Sequence, residues 1–173
     1  MKLKTALAAL LTTLSLSALT IGEVPKHAVL EKDNGGLVQD GKAWDSSSLK
    51  DNVFVMFYVD PDEKDVNEHF SQALKKFKKE NNLHFQSIAV INLAATWKPN
   101  FIIEKILKSK QEEYPDVIYV KDKNSVLVKA WGVDDDASDI IVFDKEGKVL
   151  FYKSGAMSKE DINKTFQLIK ENI

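Results

Sequence analysis

The sequence predicts an α/β domain: a central mixed sheet flanked by helices, with an N-terminal β-hairpin extension. Three observations point there. Unbroken apolar runs rich in β-branched and aromatic residues, such as Val53–Val59, suit strands buried on both faces. That strand and a second at Phe85–Ile91 are each followed by a segment of helical period, so crossover helices and a parallel pair are expected. Near the end, Ile140–Phe143 and Val149–Tyr152 flank Asp144-Lys145-Glu146-Gly147, a hairpin that adds antiparallel strands.

The elements follow in order. Residues 22–52 form a polar lead-in with turn signals at Asn34-Gly35-Gly36 and Asp40-Gly41, and with extended candidates at His27–Glu31 and Leu37–Gln39. One or two hairpins are expected there. After the strand at Val53–Val59, Asp60-Pro61-Asp62-Glu63 breaks the run. A helix is predicted over Glu63–Asn81, with Val66, Phe70, Ala73, Leu74 and Phe77 on its apolar face. Its opposite face carries Lys75, Lys76, Lys78 and Lys79, which reads as a solvated face suited to the helix dipole. Phe85–Ile91 is the next strand. Pro99 can open a second helix in its first turn, with a stripe of Phe101, Ile102, Ile103, Ile106 and Leu107, and Tyr114-Pro115 closes it. Val117–Val120 is a short strand, and Val126–Trp131 reads either as a short helix or as an extended segment. After the hairpin, Ser158 caps a last helix, with Asp161 as an imperfect capping box and Ile162, Phe166, Ile169 and Ile173 on one face.

The N-terminus carries a different signal. Lys2 and Lys4 precede a short apolar run from Thr5 to Ile21, the pattern of a secretory signal peptide. The run is too short and too diluted by Ser and Thr for a comfortable membrane span. Residues 1–22 are therefore expected to be a leader cut between about residues 17 and 23, leaving 23–173 as one domain. An uncleaved amphipathic anchor is the alternative. No cysteine follows the run, so a lipoprotein anchor is excluded. Export implies a periplasmic location, and no membrane association once the leader is gone.

Composition then removes whole classes of function. The 173 residues include no cysteine, which excludes disulfides, thiolate metal sites and dithiol redox chemistry. The three histidines, His27, His69 and His84, lie far apart and lack metal-binding spacing. His69 reads as a boundary residue of its helix, and the other two as structural or exposed. The formal charge is −2, becoming −4 once Lys2 and Lys4 leave with the leader, so binding to nucleic acid driven by net charge is not expected. No G-x-S-x-G elbow, P-loop or dinucleotide fingerprint is present.

The strand and helix order resembles the thioredoxin-like plan with an N-terminal extension. A closer resemblance lies in Ala130–Ile162. Ala130-Trp131, the acidic and serine stretch to Ser138, the strand Ile140–Phe143, Asp144-Lys145-Glu146-Gly147 and Gly155-Ala156 before the last helix resemble the C-terminal half of the YtfJ family of bacterial periplasmic proteins. The resemblance covers about a quarter of the chain after the leader. It implies a thioredoxin-like fold, export and no established activity. Some members carry a transcriptional-regulator label, which fits an exported, acidic chain badly.

On that plan Asp62 and Asp65 stand where redox-active relatives carry Cys-x-x-Cys, and carboxylates cannot cycle electrons. The position of the usual cis-proline falls near Ser138, where a trans bond is expected. The two loops at these positions are expected to meet. One carries Asp60, Asp62, Glu63 and Asp65; the other carries Asp134, Asp135, Asp136, Ser138 and Asp139, with Trp131 just before it. Clustered carboxylates favour a hard cation, Ca²⁺ or Mg²⁺, or a cationic partner. The bland reading makes them helix caps and solvated loop, and no EF-hand spacing opposes it. Trp131 is either a ligand platform or a seal on the core edge; Trp44 and Trp97 pose the same choice.

The expected function is a redox-inactive binding or accessory module in the periplasm, with an unknown periplasmic protein or cationic ligand as partner, no resident cofactor and no catalytic residue. The alternatives are a non-redox enzyme using the acidic loops with a divalent cation, or a regulator.

Overall fold

A computed structural model describes residues 19–173. The charged start and residues 5–18 of the apolar run of the expected leader lie outside the described residues. The main sheet has six strands: β2 (Gly35–Leu37), β4 (Phe54–Val59), β5 (Gln86–Asn92), β6 (Val117–Asp122), β7 (Ser138–Phe143) and β8 (Val149–Lys153). Their order across the sheet is β2-β6-β5-β4-β7-β8. The middle strands β4, β5 and β6 run parallel, and β7, β8 and β2 pair antiparallel with their neighbours.

β4 is buried because its alternate residues serve two cores. Phe54, Met56 and Tyr58 enter one cluster, and Val55 enters another, joined by Val53 just before the strand and by Phe57. This is why its sequence is a continuous apolar run rather than an alternating one. On the Val55 face lie helix α1 (Glu68–Glu80), through Phe70, Leu74 and Phe77, and helix α4 (Lys159–Asn172), through Ile169. Helix α2 (Asn100–Glu113) packs Ile103 and Leu107 against Leu93, Ile91 and Tyr119. The other face is covered by the short helix α3 (Val126–Trp131) and a two-stranded sheet of β1 (Val29–Leu30) and β3 (Trp44–Asp45).

Several sequence expectations change here. The two extension strands pair with each other, but the chain between them leaves to supply β2 to the main sheet. Gly35 and Gly36 are therefore strand residues rather than turn residues. A Cβ at Gly35 would sit 1.9 Å from the Lys121 carbonyl oxygen, so only glycine allows this close pairing. The ambiguous segment at Val126–Trp131 is helical. The helix predicted from Glu63 begins five residues later, at Glu68. The intervening chain is held in i→i+3 turns: Glu63 N–H to Asp60 C=O (2.9 Å), Val66 N–H to Glu63 C=O (3.1 Å) and Glu68 N–H to Asp65 C=O (3.2 Å). Of the predicted stripe on α2 only Ile103 and Leu107 are buried.

Other expectations hold in detail. At the β7–β8 turn the Asp144 carboxylate accepts the N–H groups of Glu146 (2.9 Å) and Lys148 (2.8 Å), and Gly147 takes a φ of +80°. Ser158 and Asp161 form a complete capping box, with Asp doing the work of the usual Glu. Residues 19–23 run alongside β8. Gly22 N–H donates to Val149 C=O (2.7 Å), Val149 N–H donates to Glu23 C=O (3.0 Å), and Leu19 N–H reaches Trp131 C=O (2.9 Å). No helix among the described residues is long and apolar enough to cross a membrane.

One buried polar atom has no hydrogen-bond partner among the described residues and no role in positioning loops: Thr165 Oγ1, on the inner face of α4. Thr165→Val keeps the shape and removes the orphan hydroxyl. We expect it to stabilise the domain by about 1 kcal/mol, seen as a higher urea midpoint at unchanged m-value. A fall in the midpoint would show that the hydroxyl is satisfied.

Candidate functional site

The carboxyl ends of β4, β5 and β6 and the start of β7 lie at the same end of the sheet, so the loops that leave or enter there are neighbours. Open parallel sheets bind ligands at this end, because the loops diverge or converge there on a rigid base. The two acidic loops do converge: Asp60 N–H donates to Ala137 C=O at 2.9 Å. No peptide bond among the described residues is cis, and Ser138 enters β7 through a trans bond.

Each carboxylate has its own task. Asp60 is buried, and its Oδ1 accepts the N–H of Asp62 (2.8 Å), which fixes the turn after β4. Burial pushes its carboxyl upward; the Asp62 N–H opposes this, and the neighbouring Asp136 carboxyl adds to it. Asp62 turns away from the second loop. It accepts Thr96 Oγ1 (2.8 Å) and pairs with Lys98, which holds it below the usual carboxylate range. Asp65 pairs with its neighbour Lys64 in solvent. Glu63 contributes its N–H to the turn.

In the second loop, Asp134 donates its N–H to Asp139 Oδ2 (2.7 Å) and accepts Ser154 Oγ (3.0 Å). Asp135 Oδ1 accepts Asn92 Nδ2 (2.6 Å) and Ser125 Oγ (3.0 Å). Asp136 is exposed beside Asp60. Asp139 is fully buried. Its Oδ2 also accepts the Tyr152 hydroxyl (3.2 Å), while Oδ1 has no partner among the described residues. Burial, the largest influence, raises its carboxyl above the usual range.

Asp139 gives a signed pH prediction. A carboxyl raised in the native state binds its proton more tightly there than in the unfolded chain. Its contribution to stability is therefore full below the unfolded value near 3.8 and is lost as pH rises through the higher native value. Asp139→Asn removes that loss. We expect the stability difference between variant and wild type to shift in the variant's favour as pH rises from about 3.5 to 7, in urea titrations at each pH. A difference that stays constant with pH would remove Asp139 as its source.

Trp131 is not at this surface. It is 1% exposed, donates Nε1–H to Lys26 C=O (2.6 Å), and meets Trp44 and Phe143 edge-on at centroid distances of 6.2 and 6.1 Å. It seals the core, as Trp44 does, whereas Trp97 is exposed. Ser138 is buried, and with Asp60 and Asp139 it lies beneath the surface rather than on it. Among the described residues no three acidic or histidine side chains are grouped to hold a metal ion. Internal N–H and O–H donors already engage Asp60, Asp134, Asp135 and Asp139.

The residues that organise the site were not singled out by sequence reasoning. Asn67 is buried and ties three segments together. Its Nδ2 donates to Ser138 C=O (2.9 Å), Ser138 Oγ (3.2 Å) and Gly155 C=O (3.0 Å), and its Oδ1 accepts Met157 N–H (2.9 Å). Asp122 accepts Val126 N–H (2.8 Å), Leu127 N–H (2.9 Å), Asn124 N–H (3.3 Å) and the Tyr58 hydroxyl (3.1 Å). Asp122 stands four residues before Val126, outside the cap position that Ser125 holds, so no local signal marks it. Asn67 directly precedes α1, but its side chain makes no cap bond and ties distant segments instead, which no local pattern announces.

Comparison with known proteins bears on the family and the fold. A family model described as a bacterial protein of unknown function, YtfJ_HI0045, matches residues 23–172. The chain is 27% identical over 147 residues to the uncharacterized protein YtfJ of Escherichia coli, covering 80% of this chain and 79% of that one. It is 30% identical over 151 residues to an uncharacterized protein of Haemophilus influenzae, covering 82% and 81%. Among solved structures it is similar to the exposed lipoprotein thioredoxin of Streptococcus pneumoniae, with a TM-score of 0.55 at 18% identity over 82% of this chain and 98% of that one. At that identity the likeness shows the fold alone, and the fold is thioredoxin-like.

Proposed function

The chain belongs to the YtfJ family of bacterial proteins of unknown function, and for it we propose the role of an exported, redox-inactive binding module that engages a partner at the carboxyl end of its parallel strands. The observation that carries this reading is the junction of the two loops, Asp60 N–H on Ala137 C=O, at the place where thioredoxins do their chemistry. The chain holds no cysteine, and on the thioredoxin-like plan Asp62 and Asp65 are expected at the redox positions. What remains there is a rigid acidic surface, and a rigid surface suits recognition. Export is supported by Lys2, Lys4 and the apolar run that follows them.

The test is site-specific crosslinking in a Gram-negative host. A photo-crosslinking amino acid is placed at Asp65 or Asp136 on the rim, or at Lys79 on the exposed face of α1. The reading expects the protein in the osmotic-shock fraction, shortened by its leader, with a discrete adduct from the rim positions alone. Retention in the cytoplasm would remove the export half of the proposal. Adducts from Lys79 alone, or from none of the three, would remove the binding half. Engagement of the carboxylates by internal donors favours this reading over a divalent-cation enzyme at the same loops.

A further inference from the structure

The apolar residues that α2 does not bury follow closely on the loop whose Thr96 and Lys98 bond to the first acidic loop. Phe101 is 73% exposed, Ile106 52% and Ile102 42%, while Trp97, in the loop leading into the helix, is 84% exposed. The core requires only Ile103 and Leu107 from this helix. Exposed apolar groups grouped in this way mark an interaction surface more often than chance. Their place in the fold adds to this. The loop carrying Trp97 leaves the carboxyl end of β5, and Thr96 and Lys98 on either side of Trp97 both bond to Asp62. The aromatic side chain is thus tethered through its chain neighbours to the first acidic loop.

Charge decides what could cover the patch. At this end Lys64 and Lys98 are both paired with aspartates, and Asp134, Asp135 and Asp136 are exposed in addition. The surface is apolar on one side, with the exposed Lys105 and Lys108 of α2 interspersed, and net acidic on the other. The acidic loops would repel a membrane rich in anionic lipid. A second copy docked about a two-fold axis would set the same carboxylates against one another. We propose that this end of the sheet docks a segment of a partner protein that presents an aromatic or aliphatic anchor to Trp97 and the exposed face of α2, and lysine or arginine to the acidic loops. The inference rests on the binding-module reading and supplies the partner's chemistry.

A library of random 12-residue peptides, panned on the full domain, tests this without assuming the partner. Selected peptides should combine Trp, Phe or Leu with two or more basic residues. Titration of the consensus peptide should show binding that weakens with salt, and at least tenfold weaker binding both in Trp97→Ser/Phe101→Ser and in Asp65→Asn/Asp136→Asn. All four positions are exposed, so the variants are expected to unfold at the wild-type midpoint. Amide shifts on peptide addition should appear in residues 95–106 and 134–137 together. Shifts at the acidic loops alone, with the Trp97/Phe101 variant binding normally, would overturn the inference and leave the binding-module reading standing. Selected peptides without basic residues would also overturn it. Absence of selection, or shifts at neither place, would overturn both. A dimer in sedimentation that is lost in the Trp97/Phe101 variant would assign the patch to a second copy, against the proposal.

Discussion

Asp122→Ala should lower the stability of the domain by about 4 kcal/mol, in the range seen when one partner of a buried charged network is removed. For a domain of this size that is a fall in Tm of roughly 10 °C. The reason lies in position. β6 ends at Asp122, and the carboxylate turns back over the first turn of α3, where it accepts the N–H groups of Val126 and Leu127. These donors have no partner within a helix of six residues. The same carboxylate reaches across β5 to the Tyr58 hydroxyl at the end of β4. Alanine would leave these N–H groups and the tyrosine hydroxyl without their acceptor, beneath Leu127 and Trp131. Tyr58→Phe removes one donor and should cost about 1 kcal/mol. The double variant should lose less than the sum of the singles, because the hydroxyl is already orphaned once Asp122 is gone. Urea unfolding of the four proteins measures this. Strict additivity would show that the two groups do not share a hydrogen bond.

The second large effect is expected at Asn67. Alanine there leaves a buried N–H at Met157 and two backbone carbonyls, at Ser138 and Gly155, without their partner. The cost should be about 3 kcal/mol. Asn67→Asp should be at least as damaging. It is isosteric, but it turns an amide that donates to two carbonyl oxygens into a carboxylate facing them. A size effect would rank alanine as worse, whereas a hydrogen-bond effect ranks aspartate as equal or worse. Amide hydrogen exchange adds a local readout, since the Met157 N–H should lose protection earlier than the amides of β4.

The sequence carries the sheet and helices because burial on both faces leaves a simple trace. Val53–Val59 has no polar interruption, Ile88–Ile91 continues the same trace after Gln86 and Ser87, and Ser158 with Asp161 announces α4. The onset of α1 is masked in the sequence because Val66 keeps helical register with Phe70, although Asp60 and Pro61 fold the preceding residues into turns. The stripe on α2 is present in the sequence, but its partial burial is not. Periodicity reports that residues are apolar, not what covers them, and Phe101, Ile102 and Ile106 have no covering element among the described residues. The candidate site was legible as two acidic loops. The sorting of their members was not, because whether an aspartate faces solvent, a backbone N–H or a lysine depends on partners such as Lys98, Asn92 and Tyr152 that lie dozens of residues away or on another strand.

The segment beside β8 also has a consequence for solubility. An open six-stranded sheet has two outer strands whose unpaired N–H and C=O groups invite another chain to add on. On one side that invitation is small, because β2 is three residues long and two of them are glycine. On the other side, Ile21 to Glu23 occupy the Val149 N–H and C=O. A chain trimmed as far as Glu23 would keep its core and its acidic loops, yet present a freshly opened strand edge to its neighbours. The end of the apolar run and the residues just after it thus shield the start of β8 from an added strand, independent of any part they play in recognition.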